Sequence, residues 1–237
     1  MLFLLYQILI FFAKYDIIDI RVLQPKLVLS KEWLNLDEVE KQFNLYAKIC
    51  ERTMLHIMMS IEDYLEEMKL PDKPRCPIVA VESRIKTFSS VQEKCERKGY
   101  PCTIDSIKHN IRDIAGIRII TLFKDDIYTV AQVLKTRLRL NVVVKKDYVE
   151  YPKSNGYQSL HLMAQREFYF NDETHMVPVE IQIRTKTMDV WASLEHILKY
   201  KNDEPNPDTE KQLKEVANNL IAFDRSVINL RGSETLT

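Results

Sequence analysis

The chain has 237 residues, 46% hydrophobic and 29% charged, which suits one sizeable folded domain with additional helices and excludes extensive disorder. Its 34 basic residues match its 34 acidic ones, so no global field holds nucleic acid or an anionic membrane, and any anion must be bound locally. Four glycines are too few for phosphate loops of the Walker or dinucleotide type, and Cys50, Cys76, Cys95 and Cys102 lack the close pairing of zinc or redox sites and read as thiols of a reducing, cytoplasmic compartment.

Residues 1–13 are apolar apart from Gln7. The run is short for a bilayer and lacks a basic leader and a small-residue cleavage site, so membrane association is not expected. It reads either as an extra packed or interfacial segment or as residues added by an upstream start. Residues 1–29 are therefore set apart as an N-terminal extension, 30–230 as a single domain and 231–237 as a flexible tail.

From Ser30, a candidate N-cap, to Met68 the pattern is helical in two runs. The first uses Trp33, Leu34, Val39, Phe43, Tyr46 and Ala47, the second Ile49, Leu55, Met58, Met59, Ile61 and Leu65. The prolines of residues 70–77 predict a connection. An extended run follows from Ile78, with Glu82, Arg84 and Lys86 on one face, and then a helical turn that puts Ser90 and Lys94 on another. The window 82–112 holds seven Lys or Arg against four acids. Such charge reads either as solvated surface or as a polyphosphate site, where lysine supplies point charge and arginine a planar fork that also stacks on a base.

The isoleucine-rich run after Gly116 predicts a buried central strand, with Asp113 and Arg118 at or near its edges. Asp113 suits either a helix cap or a hard cation such as Mg²⁺. Residues 125–140 predict a crossover helix in which Asp125 and Asp126 complement the N-terminal dipole. Asn141–Val144 opens another strand, and Lys145-Lys146-Asp147-Tyr148 leads into a loop. In that loop Pro152, Ser154, Asn155 and Gly156 specify a turn, while Tyr157, Ser159 and His161 are expected to share a strand face. An aromatic ring beside Lys153 and His161 can stack a base while the cations hold its phosphates. The next strand ends near Phe170 and turns through residues 171–173.

In Val179-Glu180-Ile181-Gln182-Ile183-Arg184 the alternation puts three apolar residues on one face and a carboxylate, an amide and a guanidinium on the other. Thr185 then opens a helical pattern. After a polar loop at 202–207, residues 208–230 predict a final amphipathic helix using Leu213, Val216, Leu220, Ile221 and Ile228.

Four ordered blocks resemble the synthetase domain of the RelA/SpoT family in its small, single-domain form. They are Ser83-Arg84-Ile85-Lys86 with Ser90 and Lys94; residues 113–118; residues 146–148 with 153–161; and residues 179–185 through Trp191-Ala192-Ser193-Leu194-Glu195-His196. The resemblance covers roughly residues 40–225. It implies an α/β (α+β) fold of nucleotidyltransferase-like kind, with a mixed, mostly antiparallel five-stranded sheet flanked by helices. It also implies a GTP pyrophosphokinase: a Mg²⁺-dependent, monofunctional alarmone synthetase of the stringent response that moves the β,γ-pyrophosphoryl group of ATP to the 3′-hydroxyl of GTP or GDP, giving (p)ppGpp and AMP.

By the same resemblance Arg84 and Arg118 sandwich adenine, and Lys86, Ser90 and Lys94 hold the ATP phosphates. Asp113 and Glu180 bind Mg²⁺, and Glu180 takes the 3′-hydroxyl proton. Tyr157 stacks on guanine, Lys153, His161, Gln182 and Arg184 line the acceptor site, and Asp189 reads the guanine edge. A homotetramer is expected. No His is followed by Asp, so the hydrolase motif of the long relatives is missing and no hydrolase activity is expected.

Overall fold

The computed structural model describes residues 24–170, 172–201 and 207–234, with side chains described for 36–170, 172–198 and 208–230. The apolar run at 1–13 and the polar residues 202–206 lie outside the described residues.

The first helix, α1 (Gln24–Glu67), is continuous. Its buried residues Val39, Phe43, Tyr46, Cys50, Met54, Ile57, Ile61 and Tyr64 recur at three- and four-residue steps and make one stripe, so the two expected runs are one helix. Ser30 lies inside it and is not its cap. The connection at 70–77 is irregular, as its prolines require. Then follow β1 (Ile78–Ile85), α2 (Phe88–Lys98), α3 (Ile104–Asn110), β2 (Ala115–Thr121), α4 (Lys124–Thr136), β3 (Asn141–Asp147), β4 (Leu160–Phe170), β5 (Glu173–Thr185), α5 (Lys186–Lys201) and α6 (Pro207–Glu234). The last helix therefore extends four residues into the segment expected to be a tail.

The strands form one sheet in the order β1-β2-β5-β4-β3. Only β2 and β5 pair in parallel; the other three pairings are antiparallel, which bears out the mixed, mostly antiparallel sheet. Pro178 of β5 sits opposite Gln165 and one residue before β2 begins to pair, so its missing N–H costs no bond on the β2 side.

One face of the sheet is apolar: Ile117, Ile119, Val179, Ile181, Ile183, Leu160 and Leu162 are buried with the stripe of α1 and with Ile127, Val130 and Leu134 of α4. Each such side chain contributes roughly 1.5–3 kcal/mol on leaving water. That burial fixes register, because a slip of one residue would send every polar partner into the core.

Four local expectations are corrected. Arg118 lies at the middle of β2 rather than near an edge, because Gly116 does not interrupt the strand; it pairs with Arg84 on one side and Glu180 on the other. Lys145, Lys146 and Asp147 belong to β3, since the ladder with β4 runs on to the Asp147–Leu160 pair and charges are well placed on an edge strand. Helix α4 stops at Thr136: Arg139 takes a left-handed φ of 51°, and the Leu140 N–H returns to the Leu134 carbonyl at 3.1 Å. On α6, Val216 is exposed, and Leu213, Ala217 and Asp224 form the buried line.

Candidate active site

Because side chains alternate, the opposite face of the same sheet gathers the polar residues in rows. Arg84, Gly116, Glu180 and Met163 lie side by side across β1, β2, β5 and β4. The next row is Glu82, Arg118, Gln182, His161 and Lys146. The Arg84 side chain lies over Gly116, where an added Cβ would meet its Cγ at an ordinary contact distance of 3.8 Å.

Two clefts open on this face. One is lined by Glu82, Arg84, Asp113, Gly116, Arg118 and Glu180, the other by Lys94, Asn110, Arg112, Lys146 and His161 together with the same Asp113 and Glu180. The two carboxylates thus stand where the clefts meet. The second cleft encloses ≈ 340 Å³, within the roughly 300–1,000 Å³ of small-molecule sites. The first holds ≈ 70 Å³.

Asp113, two residues ahead of β2, is bound by Lys86 Nζ on Oδ2 and Lys94 Nζ on Oδ1, both at 2.8 Å. Lys94 is on α2, which Thr87 caps by accepting the Ser90 N–H. The Ser90 hydroxyl accepts from Thr87 at 3.0 Å. Burial pushes the Asp113 carboxyl up, but the two ammonium groups outweigh it and hold the group below the ordinary carboxylate range.

Glu180 takes two hydrogen bonds, from His161 Nδ1 on Oε1 at 3.2 Å and from Gln182 Nε2 on Oε2 at 3.0 Å. Burial again raises the carboxyl, and the His161 and Gln182 bonds bring it below its ordinary value against the charge of Asp113. The Tyr157 hydroxyl lies 2.8 Å from His161 Nε2. A proton on Nδ1 satisfies both contacts: His161 donates to Glu180 and Tyr157 donates to His161. Tyrosine, imidazole and carboxylate form one chain.

Both carboxyls are therefore ionised well below neutrality. Their contribution to stability is fully present above the unfolded carboxylate range near pH ~4 and is lost as pH falls through the depressed folded values. Urea midpoints should be level between about pH 7 and 5 and fall below about pH 4. A rising midpoint on acidification would contradict these ion pairs.

Tyr157 precedes β4 rather than lying in it, as does Ser159; only His161 is within the strand. Asn155 Oδ1 accepts the Tyr157 N–H at 3.1 Å, and Gly156 turns the chain with φ 93°. Lys153 Nζ lies 4.7 Å from the Tyr157 ring centroid and 4.8 Å from that of Tyr148. A methyl group at Gly156 would stand 2.4 Å from Ala217 Cβ. Gly156→Ala should therefore cost about 1–3 kcal/mol, from positive φ and overpacking, readable as a lowered thermal midpoint.

Arg184 is buried, and its guanidinium meets Asp189 Oδ1 at 2.7 Å; burial and the nearby Arg118 charge lower its pKa. Arg118 reaches Glu82 Oε2 at 3.0 Å and Asp189 Oδ1 at 3.6 Å. The structure thus brings Arg84, Lys94, Asp113, Arg118, His161, Glu180 and Gln182 to the two clefts. Ser90 and Lys153 stand instead against Thr87 and the tyrosine rings, and the buried Arg184 pairs with the half-buried Asp189. Sequence reasoning assigned no role to Glu82, Arg112 or Tyr148; the face shared by Glu82 and Arg84 was the available signal for the first.

Among the described residues no group of three or more His, Cys, Asp or Glu could cage a metal. Mg²⁺ needs no such cage, since it takes one or two carboxylates and fills its shell with phosphate oxygens and water. Asp113 and Glu180, hard oxygen donors where two clefts meet, fit that ion. Among the described residues no helix is long and apolar enough to cross a membrane.

Comparison with known proteins agrees with this geometry. GTP pyrophosphokinase YwaC of Bacillus subtilis is 44% identical over 157 residues, spanning 65% of this chain and 74% of that protein. Small alarmone synthetase 1 of B. subtilis, solved with its product pppGpp, superposes with a TM-score of 0.75 at 30% identity over 81% of this chain and 98% of that one. Its structure with AMPCPP gives 0.68 at 28% identity, over 81% and 97%. The family model described as the region found in RelA / SpoT proteins matches residues 83–205, more than half of the chain. On these matches the chain belongs to the RelA/SpoT family.

Proposed function

We propose that this protein is a GTP pyrophosphokinase that transfers the β,γ-pyrophosphoryl group of ATP to the 3′-hydroxyl of GTP or GDP, giving (p)ppGpp and AMP. The observation that carries the reading is the pair of clefts sharing Asp113 and Glu180, because a two-substrate transfer needs two sites that meet at the reacting atoms. The relatives named above support the choice of nucleotides.

In this reading Arg84 and Arg118 stack on adenine, while Lys86, Ser90 and Lys94 hold the donor phosphates. Lys86 and Lys94 leave Asp113 for the phosphates as these arrive. Tyr157 stacks on guanine, with Lys153, His161, Gln182 and Arg184 on the acceptor side and Asp189 at the guanine edge. Glu180 accepts the 3′-hydroxyl proton; the 3′-oxygen forms its bond to the β-phosphorus as the bond to the α,β-bridging oxygen breaks, and AMP leaves. Mg²⁺ held by Asp113 and Glu180 supplies neutralisation of the charge that spreads over the phosphate oxygens. The chain acts without hydrolysing its product, works in the cytoplasm and assembles as a homotetramer.

The test is incubation of the purified protein with Mg²⁺, γ-labelled ATP and GTP. Label in a guanosine 3′-pyrophosphate, with AMP released in step, is the expected result. Binding of both nucleotides without label transfer would overturn the reading in favour of a non-catalytic sensor.

A further inference from the structure

We infer that α6 is the strut of the acceptor-base site, with Asp224 and Ala217 as positioning residues for it. The inference rests on the functional reading above and adds to it a part of the molecule that touches neither cleft.

Asp224 is a carboxylate only 7% exposed on a helix that closes the chain. A buried carboxylate is retained only where hydrogen bonds compensate its lost hydration. Here both oxygens are engaged: the Thr185 hydroxyl donates to Oδ2 at 2.8 Å and the Thr187 hydroxyl to Oδ1 at 2.5 Å. Thr185 is the last residue of the strand that carries Glu180, and its hydroxyl oxygen accepts the Met188 N–H at 3.2 Å, which caps α5. Asp224 thus orients the hydroxyl that sets the first turn of α5, and that turn carries Asp189.

A second set of contacts reaches the other side of the same base site. Ala217 lies against Gly156, with no space for even one added methyl. The Trp191 indole N–H donates to the Leu213 carbonyl at 2.9 Å, and its ring meets Tyr157 edge-on at 6.2 Å. Glu195 of α5 accepts from Asn155 Nδ2 at 2.6 Å. Helix α6 packs chiefly along α5 and so braces both the loop of Tyr157 and the helix of Asp189. The donor-side groups hang from β1, α2 and β2, and of these Arg118 alone approaches the braced turn, at 3.6 Å from Asp189 Oδ1.

Loss of the strut should therefore weaken guanosine nucleotides selectively. The experiment measures binding of a fluorescent GTP analogue and of a non-hydrolysable ATP analogue to wild type, Asp224→Ala and Asp224→Asn, with KM for each substrate alongside. In Asp224→Ala the GTP-analogue Kd and the GTP KM should rise about tenfold, while both ATP values stay within about twofold. Asp224→Asn, which keeps one oxygen for Thr185, should fall between. If Asp224→Ala does not fold, the isosteric Thr187→Val carries the same test with a rise of about threefold. Unchanged GTP binding, or equal weakening of both nucleotides, would overturn the inference and leave the functional reading intact. A wild type that binds no guanosine nucleotide would overturn the reading itself, and this inference with it.

Discussion

Glu180→Gln is expected to lower turnover by about 10²–10⁴-fold or more while the fold survives. A ribose hydroxyl is far too weak an acid to ionise unaided, so an ionised carboxylate within hydrogen-bond reach is the group the transfer cannot lose. Glu180 is held ionised by His161 and Gln182, and glutamine keeps its shape but accepts no proton. The amide also turns a donor toward one of two donors, His161 Nδ1 or Gln182 Nε2, which disturbs the chain to Tyr157 without emptying the core. Initial rates of label transfer, with circular dichroism and a melting curve on the same preparations, check this. A variant that kept wild-type rates would remove Glu180 from the role of base.

Asp113→Asn should cost a further kind of activity, about 10²–10³-fold, with a raised demand for Mg²⁺. The side chain neutralises two ammonium groups, each 2.8 Å away and each largely shielded from water. Removing its charge leaves Lys86 and Lys94 facing one another and removes a hard ligand for the cation. The two variants are distinguishable. Both carboxylates are Mg²⁺ ligands in this reading, so each variant shifts the Mg²⁺ titration of initial rate, but only Glu180→Gln, which also loses the base, keeps its full rate deficit at saturating Mg²⁺. An Asp113→Asn variant with the wild-type Mg²⁺ profile would show that the carboxylate serves the lysines alone.

How far the candidate site could be read from the sequence differs residue by residue. Glu180, Gln182 and Arg184 were legible as one face because alternation is a property of the strand itself. Lys94 was legible with Ser90 as a helical step, yet Ser90 turned out to bond Thr87, since a hydroxyl near a helix start is drawn to its cap. Arg184 was expected to line the acceptor site, and the structure buries it against Asp189, a partner five residues away across a strand-to-helix turn. Glu82 and Tyr148 acquired their places only through contacts with Arg118, Lys153 and His161, all from other elements.

The sequence by itself determined most of the elements, the apolar face of the central strands, and the residue types expected to meet phosphate, base and cation, because periodicity, turn chemistry and charge act over a few neighbours along the chain. Only the tertiary structure decided that Gly116 lies within a strand, that Tyr157, His161 and Glu180 form one hydrogen-bonded chain, and that Asp224 of the last helix reaches Thr185 at the end of β5. Those facts depend on strand register and helix docking. Both are set by burial of the opposite, apolar face across the whole sheet, a sum over residues far apart in the chain that no local pattern contains.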